Sequence, residues 1–241
     1  MSGATGDQEN PEAALLPGAG KAGSDEDEGQ TWQAREHLLL ATLPHVAFEG
    51  WSPTALRAGC ADAGLSFEEG SLLFAEGARE IIPFWSEWSD GRMLEMIGQR
   101  PDFEVLRLRD RIASAVRGRI EVNAPWREAV RRTMSLTALP QYTAIGLSCT
   151  WRTLDAIWYA CGDTATDFSF YSKRATLGAV YTATVFYWLD DTSDDFSDTW
   201  AFLDRRIDNL IRLPTLGTRV RNALGGVLWP LTPRHRPTSG R

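Results

Sequence analysis

The chain has 241 residues, 43% of them hydrophobic, enough to bury the core of one large domain or two small ones. Its formal charge of -7 and pI near 5.1 argue against non-specific nucleic-acid binding, which works by neutralising phosphates. No run reaches the ~20 apolar residues that cross a bilayer, and the N-terminus lacks the apolar centre of a signal peptide. A cytoplasmic protein with at most peripheral contact to the inner membrane is expected.

Cys60, Cys149 and Cys161 are odd in number, lack metal-ligand spacing and sit in apolar stretches, so they read as buried free thiols. His37, His45 and His235 are scattered, which leaves no histidine metal site or triad. No catalytic residue, metal or cofactor is assigned.

Residues 1–29 are rich in Gly, Ala, Ser and acids and end in Ser24-Asp25-Glu26-Asp27-Glu28, a composition expected to stay disordered. From Trp32 onward apolar residues recur at helical spacing, broken by Gly, Pro, Asn and Asp. The pattern predicts helices over 31–47, 53–63, 67–73, 76–97, 103–118, 124–138, 141–161, 167–189, 195–212 and 217–229, with no strand. It divides the chain into a helix-turn-helix-like module over 30–98, a ligand-binding and dimerisation bundle over 99–212, and a C-terminal segment over 213–241.

In the first helix Leu38, Leu39, Thr42, Leu43 and Val46 form one stripe. Gly50-Trp51-Ser52-Pro53 then opens a helix, with Ser52 as N-cap and Pro53 in the first turn. Gly64 permits a tight turn and Ser66 caps the next helix. Over roughly 50 residues this resembles the helix-turn-helix of TetR-type regulators. The would-be recognition helix, Phe67-Glu68-Glu69-Gly70-Ser71-Leu72-Leu73, carries two glutamates and no Lys or Arg. A helix entering the major groove must pass phosphates, so the module is read as a degenerate scaffold without a nucleic-acid partner. A TetR-like, ligand-responsive transcription regulator is the alternative.

Residues 141–161 are apolar on most faces and should be buried. Trp151, Leu154 and Trp158, with Leu177, Tyr181 and Trp188 on the stripe that follows, suit either a filled core or the lining of a lipid pocket. Arg152 and Asp155, three apart, are placed to pair. Asp190-Asp191-Thr192-Ser193-Asp194-Asp195 fits the DDxxD pattern by which isoprenyl-diphosphate synthases hold Mg²⁺. The motif spans a helix break, however, and no second acidic cluster completes it.

The block from Gly162-Asp163-Thr164 through Asp195-Phe196, with Trp200-Ala201-Phe202-Leu203-Asp204-Arg205-Arg206-Ile207, resembles the Coq-nine family of ubiquinone-biosynthesis accessory proteins. The resemblance implies a TetR-like all-α fold and a homodimer, formed through helices 167–189 and 195–212. It implies a non-catalytic function: binding an isoprenoid quinone or its precursor at a membrane surface and delivering it to demethoxyubiquinone hydroxylase or an equivalent. It also implies a partner-docking patch of Asp155, Asp167, Phe170, Tyr171 and Arg174. Phe170 and Lys173 stand where the mitochondrial relatives carry tryptophan and arginine. From the residues alone, Asp167 reads equally as a helix cap, and Arg174 as an internal partner of Asp155 or Asp163.

Beyond Asp208 the chain has no acidic residue but keeps Arg212, Arg219, Arg221, Arg234, Arg236 and Arg241. After Pro214, Leu216, Val220, Leu224, Val227 and Leu228 fall on one helical arc, flanked by Arg219 and Arg221, with Trp229 near its end. This is the pattern of an amphipathic helix lying in a headgroup layer. Deleting residues 215–241 is expected to abolish co-sedimentation with liposomes while helical circular dichroism persists; unchanged sedimentation would refute the membrane contact.

Overall fold

The computed structural model describes residues 19–162 and 168–212, with side chains over 27–162 and 173–208. All regular structure among them is helical. The helices are α1 (Ala19–Glu49), α2 (Pro53–Asp62), α3 (Phe67–Leu73), α4 (Ala78–Gly98), α5 (Leu108–Val122), α6 (Arg127–Thr137), α7 (Pro140–Ala160), α8 (Phe168–Asp190) and α9 (Ser197–Arg212). No helix among the described residues is long and apolar enough to cross a membrane.

α1 begins at Ala19, inside the stretch whose composition suggested a disordered tail. Asp27 to Thr31 are exposed. Extending a helix from the packed segment behind it needs no new nucleus, and Ala, Lys and Glu propagate it readily. Leu38, Leu39, Thr42, Leu43 and Val46 are all buried on one stripe, facing α2 and α3. The α1–α2 approach depends on Gly59, where a Cβ would lie 2.2 Å from Thr42 Oγ1 and 2.7 Å from Thr42 Cα.

Ser52 Oγ accepts from Ala55 N at 3.2 Å and caps α2. Gly64, at φ +70°, turns the chain into α3. There Ser66 Oγ accepts from Glu69 N at 3.1 Å, and the Glu69 carboxylate accepts from Ser66 N at 2.7 Å. Glu69 is therefore part of a reciprocal cap. That leaves exposed Glu68 and Leu72 on the outward face of α3, while Arg57 lies over the Phe67 ring.

The buried residues form two clusters that share α4. Ile81, Phe84, Trp85 and Trp88 belong to the first, with α1–α3. Met93 belongs to the second, with Ile112, Val116 and Ile120 of α5, Leu154 and Trp158 of α7, Leu177 and Trp188 of α8, and Leu203 and Ile207 of α9. α6 ties the two together. Trp51 Nε1 donates to Thr133 Oγ1 at 2.7 Å, and Arg127 Nη2 donates to the Asp191 carbonyl at 2.6 Å. Arg131 bonds the Leu189 carbonyl and lies 3.0 Å from the Asp190 carboxylate. These cations meet the negative end of α8.

Asp191 makes the α8–α9 corner. Its Oδ1 accepts from Ser193 N (2.8 Å) and Ser193 Oγ (2.6 Å), and its Oδ2 accepts from Thr199 N (2.9 Å) and Thr199 Oγ1 (2.5 Å). The acidic motif is thus a capping device in which both Asp191 oxygens are engaged by protein donors. Among the described residues no group of three His, Cys, Asp or Glu is placed to hold a metal. Burial would raise the Asp191 pKa, but the bonds from Ser193 and Thr199 outweigh it and hold the carboxyl at about 2.

Replacing Asp191→Ala should cost about 2 kcal/mol in urea unfolding at pH 7, through the lost cap and the unmet donors. The folded carboxyl titrates below its unfolded value of about 3.9. Its stabilisation is therefore full above roughly pH 4 and fades as the pH falls through about 2. The gap between wild type and variant should narrow over that window; an equal gap at pH 7 and pH 2 would contradict the capping role.

Candidate functional site

Helices α4 to α8 enclose a cavity of about 380 Å³. Its walls are Ile82 and Trp85 of α4, Ile120 of α5, Val130 and Met134 of α6, Leu147 of α7, and Val185, Phe186 and Trp188 of α8. Several threonines also line it, yet Thr133, Thr137 and Thr143 bond the carbonyls four residues back, at 2.8, 2.9 and 3.0 Å. Their hydroxyls are engaged within their own helices, so the wall behaves as apolar surface. Leu147, Thr150, Thr182 and Phe186 also line a shallow groove between α7 and α8, which continues past Trp151 and Leu154 to Arg174.

One end of the cavity is polar. Asp90 and Arg119 are only 5% and 7% exposed, and Arg119 Nε donates to Asp90 Oδ1 at 2.7 Å. Thr153 Oγ1 donates to the same oxygen at 2.8 Å, and Arg152 Nε stands 3.8 Å from Asp90 Oδ2. Nearby, Ser89 Oγ bonds Asn123 Oδ1 at 3.1 Å. Arg119, Asn123, Cys149, Thr153 and Tyr181 all reach the cavity lining. Burial pushes the Tyr181 phenol above its ordinary pKa, against the pull of Arg119. Burial likewise raises the Cys149 thiol, against Arg152. Both therefore keep their protons at neutral pH. Burial opposes the Arg119 charge, but Tyr181 and Asp90 together hold its pKa above the ordinary value.

The residues expected from sequence to line a pocket divide three ways. Tyr181 and Trp188 line the cavity, Trp151 and Leu154 border the α7–α8 groove, and Trp158 and Leu177 lie within the packed core. Of the expected docking patch, Arg174 is 3% exposed, with Nε and Nη2 at 2.8 and 2.6 Å from Asp155 Oδ1. It pins α8 to α7, which is the internal pairing that the sequence left open. Phe170 and Tyr171 lie in the first turn of α8, their side chains outside the described residues, as is Asp167. The segment from Leu216 to Trp229 also lies outside them. Arg152 does not take Asp155 as its partner. It turns toward α4, bonding the Pro83 carbonyl at 2.6 Å and reaching Glu87 at 3.4 Å, while Asp155 faces α8.

Sequence reasoning missed Asp90, Arg119 and Thr153. A signal was present. Arg119 sits on the same helical stripe as Ile112, Ala115 and Val116, and Asp90 lies three residues before buried Met93. A charge on a buried stripe calls for a partner across the core.

Residues 143–214, covering most of α7 with α8 and α9, match the COQ9 family model. This part of the chain resembles the COQ9 family. It is 28% identical over 211 residues to the ubiquinone biosynthesis protein COQ9, mitochondrial, of Rattus norvegicus, covering 84% of this chain and 67% of that protein. The Homo sapiens protein of the same name is 28% identical over 208 residues, 84% of this chain and 65% of that one. The Drosophila melanogaster protein is 31% identical over 183 residues, 74% and 56% respectively. The chain thus spans about two thirds of the length of the rat and human relatives. A TetR transcriptional regulator from Nitrosomonas europaea ATCC 19718 superposes with a TM-score of 0.61 over 74% of this chain and 98% of that one, at 22% identity. That likeness shows the fold: a TetR-like all-α bundle. The matched segment supplies one side of the cavity and both helices of the groove.

Removing one partner of a buried ion pair strands the other. Arg119→Met should therefore cost about 3–5 kcal/mol in urea unfolding, and Asp90→Leu added to it should recover most of that loss. A double variant no more stable than the single one would contradict the pairing.

Proposed function

We propose that this protein is a non-catalytic, lipid-binding accessory protein of ubiquinone biosynthesis. It takes a polyprenylated aromatic intermediate from a membrane and presents it to a hydroxylase acting on that intermediate. The observation that carries this reading is the apolar cavity, whose α7–α8 side lies in the segment that matches the COQ9 family. Its volume of about 380 Å³ falls within the range of small-molecule sites.

Moving an apolar tail through water costs about 0.8 kcal/mol per CH₂. A cavity walled by Ile82, Trp85, Met134, Val185 and Trp188 lowers that cost without any bond chemistry. The α7–α8 groove supplies a route in and out, because it shares Leu147 and Phe186 with the cavity and both are exposed, at 67% and 56%. The groove ends beside the Asp155–Arg174 pair, close to the first turn of α8, where a hydroxylase would dock. The basic, amphipathic sequence over 216–229 would hold the groove near the headgroup layer. A second copy would join through α8 and α9, where partly exposed Tyr187 stacks on Phe202 with ring centroids 4.6 Å apart. The non-catalytic assignment is supported by the raised, protonated Cys149 and Tyr181, neither of which is a ready nucleophile or base at neutral pH.

Native mass spectrometry of the purified protein, with extraction and identification of co-purifying lipid, is expected to find an isoprenoid quinone or its precursor bound. A protein that emerges empty and also ignores added polyprenyl quinone would overturn the reading.

A further inference from the structure

Arg119 is 93% buried by its 7% exposure, yet it lines the cavity. Its Nε is bound to Asp90, while its Nη1 and Nη2 have no protein hydrogen bond among the described residues. Those two nitrogens are also absent from the sealed, unpartnered side-chain atoms, so they keep solvent-sized access. For a buried side chain on the cavity wall, that access is to the cavity. Tyr181, on α8, likewise has no partner for its hydroxyl among the described residues and no sealed atom. Both side chains line the same cavity. Two sets of donors, one from α5 and one from α8, therefore line a chamber whose surface is mostly apolar.

We propose that Arg119 and Tyr181 form a head-group anchor that selects a neutral, oxygen-bearing ring, such as a quinone or phenol, over a bare hydrocarbon chain or an anionic lipid. The anchor rests on the lipid-handling reading above and goes beyond it by naming what the polar end recognises.

Charge balance decides the ligand class. The guanidinium already has a full countercharge in Asp90, at 2.7 Å, and Thr153 holds that carboxylate in place at 2.8 Å. Arg152, 3.8 Å from the second Asp90 oxygen, is itself paired with Glu87 at 3.4 Å, so an anion entering the cavity would meet a charge-balanced cluster and would have to shed its hydration for hydrogen bonds alone. A carbonyl or phenol oxygen sheds far less and accepts from a charged donor at full strength. The Tyr181 phenol, kept protonated by its burial, supplies the second donor. A bare isoprenoid leaves both donors unmet. The apolar walls thus bind by area, while Arg119 and Tyr181 fix which end of the cargo points inward.

The test uses the full-length protein and three probes in calorimetric titration: decylubiquinone, decylbenzene (the same chain on a ring without oxygens) and dodecyl phosphate. Wild type should bind decylubiquinone about tenfold tighter than decylbenzene, as expected for hydrogen bonds from a charged donor, and dodecyl phosphate weakest. Tyr181→Phe removes one hydroxyl and strands no charge. It should weaken decylubiquinone by about three- to tenfold and leave decylbenzene unchanged. The paired replacement of Asp90→Leu with Arg119→Met should erase the remaining preference. Equal wild-type affinity for decylubiquinone and decylbenzene would overturn the anchor while leaving lipid binding intact. Losses of the same size for both probes in Tyr181→Phe would mark a merely structural hydroxyl and overturn it too. Tightest binding of dodecyl phosphate would make the site an anion site. Binding of none of the three would overturn both the anchor and the lipid-handling reading.

Discussion

The carboxylate of Asp90 sits where α4, α5 and α7 meet, and one of its oxygens draws the three helices together. Arg119 from α5 and Thr153 from α7 converge on the same oxygen, so three helices take their rotation and depth from one buried charge. An ion pair out of water adds little net stability. Its effect is on geometry, because any packing that separates the partners strands a charge. The same requirement keeps Arg119 at the cavity wall instead of on the surface.

α4 transmits this arrangement to the N-terminal module. Its first half packs Ile81, Phe84 and Trp85 against α1 to α3, and its second half packs Met93 against the bundle. In a regulator such a continuous helix would couple a ligand site to a DNA-reading element. In this chain the far end is α3, with an exposed Glu68, a Glu69 engaged in its own cap and no basic residue. The module keeps its close packing, down to the fit of Gly59 against Thr42.

The functional features divide by how they are built. The apolar wall needs only bulk and position, and the sequence pattern exposes it as stripes. Its threonines look polar in the sequence but bond their own helices. The polar end needs residues far apart in the chain: Asp90 and Arg119 are 29 positions apart, and Asp90 and Thr153 are 63. The apolar wall and the polar end are thus two kinds of structure, one set by bulk and the other by partners distant in the sequence.

Helix positions were legible in the sequence because their signals are local. Ser52 and Ser66 cap, Gly64 turns, and Pro53 starts a helix, each acting on residues within one turn. The Ser66-Phe67-Glu68-Glu69 run carried the reciprocal cap in plain view. The TetR-like resemblance of the front and the COQ9 resemblance of the Asp-Phe block were legible for the same reason. What only the tertiary structure decided was the choice among partners that the sequence permits. Arg174 found Asp155, Arg152 turned to α4, and Trp158 and Leu177 entered the core while Tyr181 and Trp188 faced a cavity. A helical period fixes which face a side chain occupies, but not which helix that face meets. That depends on packing across the whole bundle.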